Sequence, residues 1–133
     1  QLKELLPLLD LVMADIKLLD ETANLRYTGC SNAHALRGVR RLAQTGIPMI
    51  LRTPVIPGVN DSPEDIAAIA QFVANLGGRL LYYELLNYNP LGGDKYSALG
   101  MENPFRDARP LPEERMQALL SAAEQAGIPV RAG

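Results

Sequence analysis

Short apolar runs alternate with longer amphipathic segments along this chain of 133 residues. The apolar runs are bounded by turn-forming residues, and this pattern predicts β-strands. In the amphipathic segments the apolar residues recur three and four positions apart, which predicts helices. The predicted strands are Leu11–Lys17, Pro48–Val55, Leu80–Leu86 and a short last strand, Pro129–Arg131. The predicted helices are Ser31–Gln44, Ser62–Leu76 and Pro112–Ala126.

Start and stop signals support the helix predictions. Ser31 and Ser62 stand where an N-cap is expected, and Pro63 occupies the first helical position of the second helix. Gly46 follows the first predicted helix, as glycine often does just beyond a helix end. The segment 87–111 is rich in Gly, Pro, Asn and Asp, which predicts one long loop.

The order strand–helix–strand–helix–strand–loop–helix–strand indicates an α/β fold with a parallel sheet and helices packed on it. Three or four strands do not close a barrel, so at least one edge of the sheet stays open. We treat residues 1–133 as one domain. Either it is half of a larger barrel, or an oligomer covers the edge, or it is a small complete α/β layer domain.

Composition narrows the class of protein. Apolar residues make up 47% and charged residues 21%, as in ordinary soluble globular domains. The net charge of −2 gives no basic excess for nucleic acid, and the apolar runs are too short to span a membrane. The only cysteine, Cys30, fits a reducing cytoplasm and cannot by itself hold an iron–sulfur cluster. The chain starts without Met or a signal-peptide pattern, so we expect a piece of a longer cytoplasmic protein.

Charged side chains interrupt the first predicted strand on one face. Because side chains alternate along a strand, Met13, Asp15 and Lys17 share the face opposite the helices. Asp15 and Lys17 also lie at the carboxyl end of the strand, where parallel α/β folds place their sites. The alternative is a plain Asp15–Lys17 ion pair at a strand end.

The next two strands also end in polar groups. Arg52 lies near the end of MILRTPV, where its guanidinium could bind a ligand carboxylate or pair with Asp15 or Glu84. The third strand runs into Asn87-Tyr88-Asn89, which suit hydrogen bonding and stacking on a ligand but are also common in turns. The convergence predicts a small zwitterionic or nucleotide-like ligand and names no reaction.

Four segments resemble one known family, the activating enzymes for pyruvate formate-lyase and related glycyl radical enzymes. They are DLVMADIK (Asp10–Lys17), YTGCSN (Tyr27–Asn32), LRTPVIPGVND (Leu51–Asp61) and LLNYNPLGGDKY (Leu85–Tyr96). The similarity covers nearly the whole chain in consistent order and corresponds to the C-terminal half of these radical S-adenosylmethionine (SAM) enzymes.

The resemblance implies a partial (β/α)6 TIM-like barrel. In this family the N-terminal half carries C-x3-C-x2-C, whose thiolates bind a 4Fe-4S cluster, and SAM occupies the remaining iron site. Reductive cleavage of SAM then gives a 5′-deoxyadenosyl radical that removes a hydrogen atom from a backbone glycine of the partner. This sequence lacks the three-cysteine motif. We therefore expect a fragment that alone binds no cluster and cleaves no SAM.

The resemblance also implies roles for individual residues. Asp15 and Lys17 match a D-x-K element near SAM that responds to binding of the glycyl peptide. Asp15 with the Met13 carbonyl matches a monovalent-cation site beside the SAM carboxylate. Arg52 matches an arginine that contacts SAM, and Asn89 stands where one member has a histidine near the adenosine. The implied partner is a glycyl radical enzyme similar to pyruvate formate-lyase. The open sheet edge makes self-association a further expectation.

Two other functions stay open. One is a radical SAM enzyme that acts on a small molecule, which would close the loop 87–111 over its pocket, whereas an activating enzyme needs an open groove for a peptide. The other is a non-catalytic α/β interaction module. In such a module Asp15, Lys17 and Arg52 would pair only with each other or with water.

Overall fold

The computed structural model describes residues 2–133, so Gln1 lies outside the described residues. Its strands are β1 (Val12–Asp15), β2 (Met49–Pro54), β3 (Leu80–Leu86) and β4 (Val130–Ala132). Its α-helices are α1 (Leu2–Leu5), α2 (Glu21–Thr28), α3 (Ala33–Ala43), α4 (Pro63–Ala74), α5 (Gly93–Ala98) and α6 (Glu113–Glu124). Short 3-10 turns span Leu6–Leu8 and Pro90–Gly92.

The four strands form one parallel sheet in the order β1-β2-β3-β4. Each strand therefore lies beside its predecessor in sequence, and helices make the crossovers, as the alternating pattern predicts. Within residues 2–133, β1 and β4 each have one unpaired edge. The predicted α/β class with a parallel sheet is confirmed.

One face of the sheet packs against the helices and forms the hydrophobic core. Leu51 of β2 and Leu85 of β3 are fully buried there, and they meet apolar side chains of α4 and α6. Burial of one such side chain contributes about 1.5–3 kcal/mol. The fully buried partners from the two helices include Ile66, Ile69 and Leu119.

The other face of the sheet carries a row of charged residues. The strand register aligns Asp15 with Arg52, Arg52 with Glu84, and Glu84 with Arg131, so opposite charges alternate across the four strands. This row follows from the two-residue period of strands combined with the parallel register.

Helix α2 was not predicted, because it has no apolar stripe. Its one buried residue is Asn24. The ends are nevertheless well defined: the Asp20 carboxylate accepts a hydrogen bond from the Ala23 N–H at 2.6 Å, and Gly29 ends the helix with a φ of 75°.

Other boundaries differ by a few residues. The cap at Ser62 is confirmed, since its hydroxyl accepts from the Asp65 N–H at 3.0 Å. Helix α3 begins at Ala33 rather than directly after Ser31, whose hydroxyl accepts from the Ala33 N–H at 3.1 Å. The prediction of one long loop over 87–111 was wrong in part, because α5 lies within it. None of the helices within residues 2–133 is long and apolar enough to cross a membrane.

Candidate functional site

Arg52 and Asp15 form an ion pair between the carboxyl ends of β2 and β1. Arg52 Nε donates a hydrogen bond to Asp15 Oδ1 at 3.1 Å, and Arg52 Nη2 lies 3.0 Å from the same oxygen. Each side chain keeps 30% of its surface exposed. Of the alternatives raised by the sequence, Arg52 thus takes Asp15 as its partner, and the Asp15–Lys17 pair does not form. Solvent screening makes such a partly exposed pair a modest contributor to stability.

Lys17 lies beyond the end of β1 with an exposed side chain. Within the described part of the chain, its ammonium has no hydrogen-bond or ion-pair partner. It borders two cavities. One of about 220 Å³ also touches Asp15, Asn24 and Cys30. The other, of about 430 Å³, is walled mainly by apolar groups, among them Tyr27, Ile56, Val59 and Phe105.

The backbone of Lys17 is fixed by Asn60, which lies in the loop after β2. The buried Asn60 amide donates to the carbonyls of Lys17 at 2.8 Å and Pro54 at 3.0 Å. Its oxygen accepts from the Ile56 N–H at 2.7 Å. The side chain therefore ties the end of β1 to the β2–α4 loop and satisfies its own buried polar atoms.

Asn32, at the start of α3, holds the next two residues in the same way. Its buried amide nitrogen donates to the carbonyls of Leu18 at 3.0 Å and Leu19 at 2.8 Å. Because these carbonyls directly follow Lys17, asparagine side chains from two different elements clamp the segment that carries Lys17.

Thr53 and Tyr83 continue this clamp across the sheet. The Tyr83 hydroxyl donates to Thr53 Oγ1 at 2.7 Å, and the Thr53 hydroxyl donates to the Ile16 carbonyl at 2.6 Å. Burial raises the pKa of Tyr83 far above its ordinary value, while the hydrogen bond with Thr53 opposes the shift to a smaller extent. The phenol is therefore neutral and serves as a donor.

The polar residues after β3 shape the loop 87–111. The Asn87 side chain donates to the Leu111 carbonyl and accepts from the Leu111 N–H, both at 2.9 Å, so it closes the loop at its base. Tyr88 donates its hydroxyl to the Phe105 carbonyl at 3.1 Å. The Asn89 oxygen accepts from the Leu91 N–H at 3.0 Å, which starts the 3-10 turn. The structure gives all three residues roles in the loop.

Met13 and Asp15 share the charged face of β1, as the sequence predicts. Among residues 2–133 no group of three or more His, Cys, Asp or Glu side chains is placed to hold a metal ion. Cys30 is exposed, and one thiolate cannot hold an iron–sulfur cluster. The residues of this chain therefore do not fit a 4Fe-4S cluster.

Sequence reasoning missed the residues that position the site, namely Asn32, Thr53, Asn60 and Tyr83. One signal was available: Thr53 interrupts the buried strand β2, and a buried hydroxyl needs a hydrogen-bond partner. Asn60 looked like an ordinary turn residue beside Gly58, so nothing in the sequence separated its role from that of other loop asparagines.

Similarity to characterised proteins decides the family. The chain is 42% identical over 122 residues to an isethionate sulfite-lyase activating enzyme of Nitratidesulfovibrio vulgaris, covering 90% of this chain and 38% of that protein. It is 36% identical over 110 residues to a (2S)-3-sulfopropanediol dehydratase activating enzyme of Klebsiella oxytoca, covering 82% and 35%. The chain belongs to the family of glycyl-radical-enzyme activating enzymes. No protein-family model matches it.

A solved structure and a further curated relative agree with this family assignment. A domain of a pyruvate formate-lyase activating enzyme from Bacteroides vulgatus superposes with a TM-score of 0.76 at 27% identity, covering 98% of this chain and 71% of that one. A pyruvate formate-lyase activating enzyme of Staphylococcus epidermidis is 30% identical over 108 residues, or 81% of this chain and 43% of that protein. The chain thus spans well under half the length of these curated activating enzymes. The resemblance read from the sequence is confirmed, and the fold is consistent with a partial radical SAM barrel.

Proposed function

We propose that this chain supplies part of the SAM site and part of the partner-peptide site of a radical SAM activating enzyme. In the longer protein, that enzyme generates a glycyl radical on a partner enzyme in the cytoplasm. The supporting observation is the grouping of the Asp15–Arg52 pair with the unpartnered Lys17 ammonium at the carboxyl ends of β1 and β2. The relatives of the chain are activating enzymes, which gives this grouping its chemical meaning.

The charges of Arg52, Lys17 and Asp15 suit the methionine part of SAM, which carries a carboxylate and an ammonium group. Both Arg52 Nε and Nη2 contact one oxygen of Asp15. Arg52 Nη1 is therefore available to bind the ligand carboxylate together with the Lys17 ammonium. Asp15 Oδ2 can accept from the ligand ammonium or bind a monovalent cation with the Met13 carbonyl. The Asn89 amide nitrogen is free to donate to the adenosine, because its turn uses only the oxygen.

The cluster must be bound by residues outside this chain, since Cys30 is the only cysteine in it. Bound in the longer protein, the cluster and SAM would supply the radical chemistry that removes a hydrogen atom from the partner glycine. The residues of this chain bind and orient SAM, and the clamp formed by Asn32, Asn60 and Thr53 keeps Lys17 in place between the SAM site and the apolar groove.

An open groove favours a peptide substrate over an enclosed small molecule. The loop 87–111 is closed at its base by Asn87 and contributes Phe105 to the wall of the apolar groove, the cavity of about 430 Å³ that Lys17 and Tyr27 also line. A non-catalytic module would also accommodate the Asp15–Arg52 pair. The unpartnered Lys17 and the activating-enzyme relatives favour the enzyme.

The unpaired edge of β1 is where we place the strands of the rest of the barrel. When the chain is expressed alone, the same edge is a site for self-association. Light scattering on the chain should then show a mass that rises with concentration. A monomer over the whole concentration range would argue against association through this edge.

The test of the proposal is SAM binding to the full-length protein. After anaerobic iron–sulfide reconstitution, the EPR signal of the reduced cluster should change when SAM is added. Lys17→Ala should weaken that response. Arg79→Ala, which removes a positive charge from the exposed residue just before β3, should leave it intact. An unchanged signal with SAM, or equal responses of the two variants, would refute the assignment of the site.

A further inference from the structure

Glu84 is a carboxylate in the middle of an apolar strand, on the same sheet face as Arg52. In the strand register Arg52 lies beside Asp15 on one side and beside Glu84 on the other. Neighbouring strands are about 4.8 Å apart, so an arginine side chain can reach a carboxylate on either flank. Glu84 is half-buried, so its carboxylate has lost part of its water and is stabilised by a nearby cation or donor.

No described residue satisfies the Glu84 carboxylate with a hydrogen bond or an ion pair. Its register neighbour on β4 is Arg131, but the Arg131 guanidinium stacks over the ring of Tyr82, with Cζ 4.1 Å from the ring centroid. Tyr82 lies two residues before Glu84 in β3, so the two side chains are on the same face of the sheet. Arg131 is thus turned toward Tyr82, and Arg52 is the second cation in register with Glu84. The Glu84 carboxylate leans toward Gly133, with Oε1 2.9 Å from the place of a Cβ on that residue, so it has to turn toward β2 to meet Arg52.

Arg52 has donors to spare for a second carboxylate. A guanidinium has five N–H groups. The two observed contacts, from Nε and Nη2, both go to Asp15 Oδ1, so other N–H groups of Arg52 remain available. Any ligand ammonium or cation that binds Asp15 competes for the charge of that carboxylate. The Asp15–Arg52 contact then weakens at the moment when Arg52 has to hold the ligand.

We propose that Glu84 is a positioning residue that holds the Arg52 guanidinium from the β3 side when Asp15 is engaged. Arg52 is then shared between carboxylates on both neighbouring strands and stays directed at the ligand carboxylate. Glu84 acts through Arg52 and need not touch the ligand. The identity of the ligand rests on the proposed function, whereas the sharing of Arg52 does not.

The sharing can be tested on this chain alone by NMR of the arginine Nε–H groups. In Asp15→Asn, the Arg52 Nε–H should remain slow to exchange because Glu84 takes over. The protection should disappear only in the double variant Asp15→Asn/Glu84→Gln. Glu124→Gln, on the exposed surface of α6, is the matched control and should leave the signal unchanged. Loss of protection in Asp15→Asn alone, with the amide spectrum still that of the folded chain, would overturn the proposal.

Kinetics of the reconstituted full-length enzyme test the positioning role. Glu84→Gln should raise the KM for SAM about fivefold with a smaller change in kcat, and Glu84→Asp should recover part of the loss. In an Arg52→Gln background, Glu84→Gln should add nothing further. Additive effects of the two substitutions would show that Glu84 does not act through Arg52. If the wild-type enzyme does not use SAM, the proposed function fails, and the NMR experiment still decides whether Arg52 is shared.

Discussion

The side-chain amide of Asn60 donates a hydrogen bond to the backbone carbonyl of Lys17, with 2.8 Å between the two atoms. Asn60 keeps only 1% of its surface exposed and sits in the loop after β2, whereas Lys17 follows β1. The contact therefore joins the ends of two neighbouring strands and fixes the backbone from which the Lys17 ammonium extends. The position of Lys17 therefore depends on a residue that is itself almost entirely buried.

Replacement of Asn60 by alanine should lower the free energy of unfolding by about 2–3 kcal/mol, because it leaves two part-buried carbonyls and the Ile56 N–H without the Asn60 side chain as partner. Urea denaturation measures this change. Asn75→Ala, at the exposed end of α4, is the matched control and should cost less than about 1 kcal/mol. Equal costs for the two variants would mean that the buried amide is not needed to hold the Lys17 segment.

The relay from Tyr83 through Thr53 to the Ile16 carbonyl predicts an order of stabilities. Tyr83→Phe removes one donor and should cost about 1 kcal/mol, since Thr53 keeps its bond to Ile16. Thr53→Val leaves both the Tyr83 hydroxyl and the Ile16 carbonyl without a hydrogen-bond partner, so it should lower the free energy of unfolding by about 2–3 kcal/mol. Chemical denaturation of both variants tests the order, and a larger loss in Tyr83→Phe would contradict it.

Stability should also fall in alkaline solution because of Tyr83. Burial raises the pKa of Tyr83 in the folded chain, so the neutral phenol contributes stability that is fully present below the ordinary value of 10.0. Above that pH the unfolded chain loses the proton first, so its relative free energy drops and the folded state loses stability. Denaturation curves across this pH range should show a steeper decline for wild type than for Tyr83→Phe. Parallel declines would rule out the buried phenol as the cause.

Asn87→Ala should make the loop 87–111 more mobile. That substitution removes both bonds to Leu111, which close the base of the loop. We expect faster hydrogen exchange and faster proteolytic cleavage around Phe105, with little change in the sheet. Gln125→Ala, just beyond the end of α6, serves as the control. Unchanged exchange in the loop would show that other contacts suffice to hold it.

Local sequence patterns predicted the sheet well. The predicted bounds of β3 coincide with the observed ones, and the cap at Ser62 lies where the serine–proline pair indicated. The shared face of Asp15 and Arg52 could also be anticipated, because strand alternation and a parallel sheet place both at the carboxyl ends. The pairing between them was one of the alternatives, and only the register selected it.

The remaining features depend on long-range contacts or short elements. Helix α2 lacks an apolar stripe, and α5 has only 6 residues, so periodicity could not reveal either. Asn60 is 43 residues from Lys17 in the sequence, and no local pattern connects the two. The clamp around Lys17 could therefore be found only once the strands were in register.

Formation of a glycyl radical on a partner enzyme is the decisive test of the proposed activating role. The full-length protein, reconstituted anaerobically and supplied with SAM and a reductant, should be incubated in turn with pyruvate formate-lyase, isethionate sulfite-lyase and sulfopropanediol dehydratase. We expect a glycyl-radical EPR signal on one of them, with equivalent amounts of 5′-deoxyadenosine and methionine. Arg52→Gln should lower the rate at which this signal forms. Cleavage of SAM without a radical on any partner would contradict the activating role. A folded protein without any cluster signal would contradict the radical SAM assignment itself.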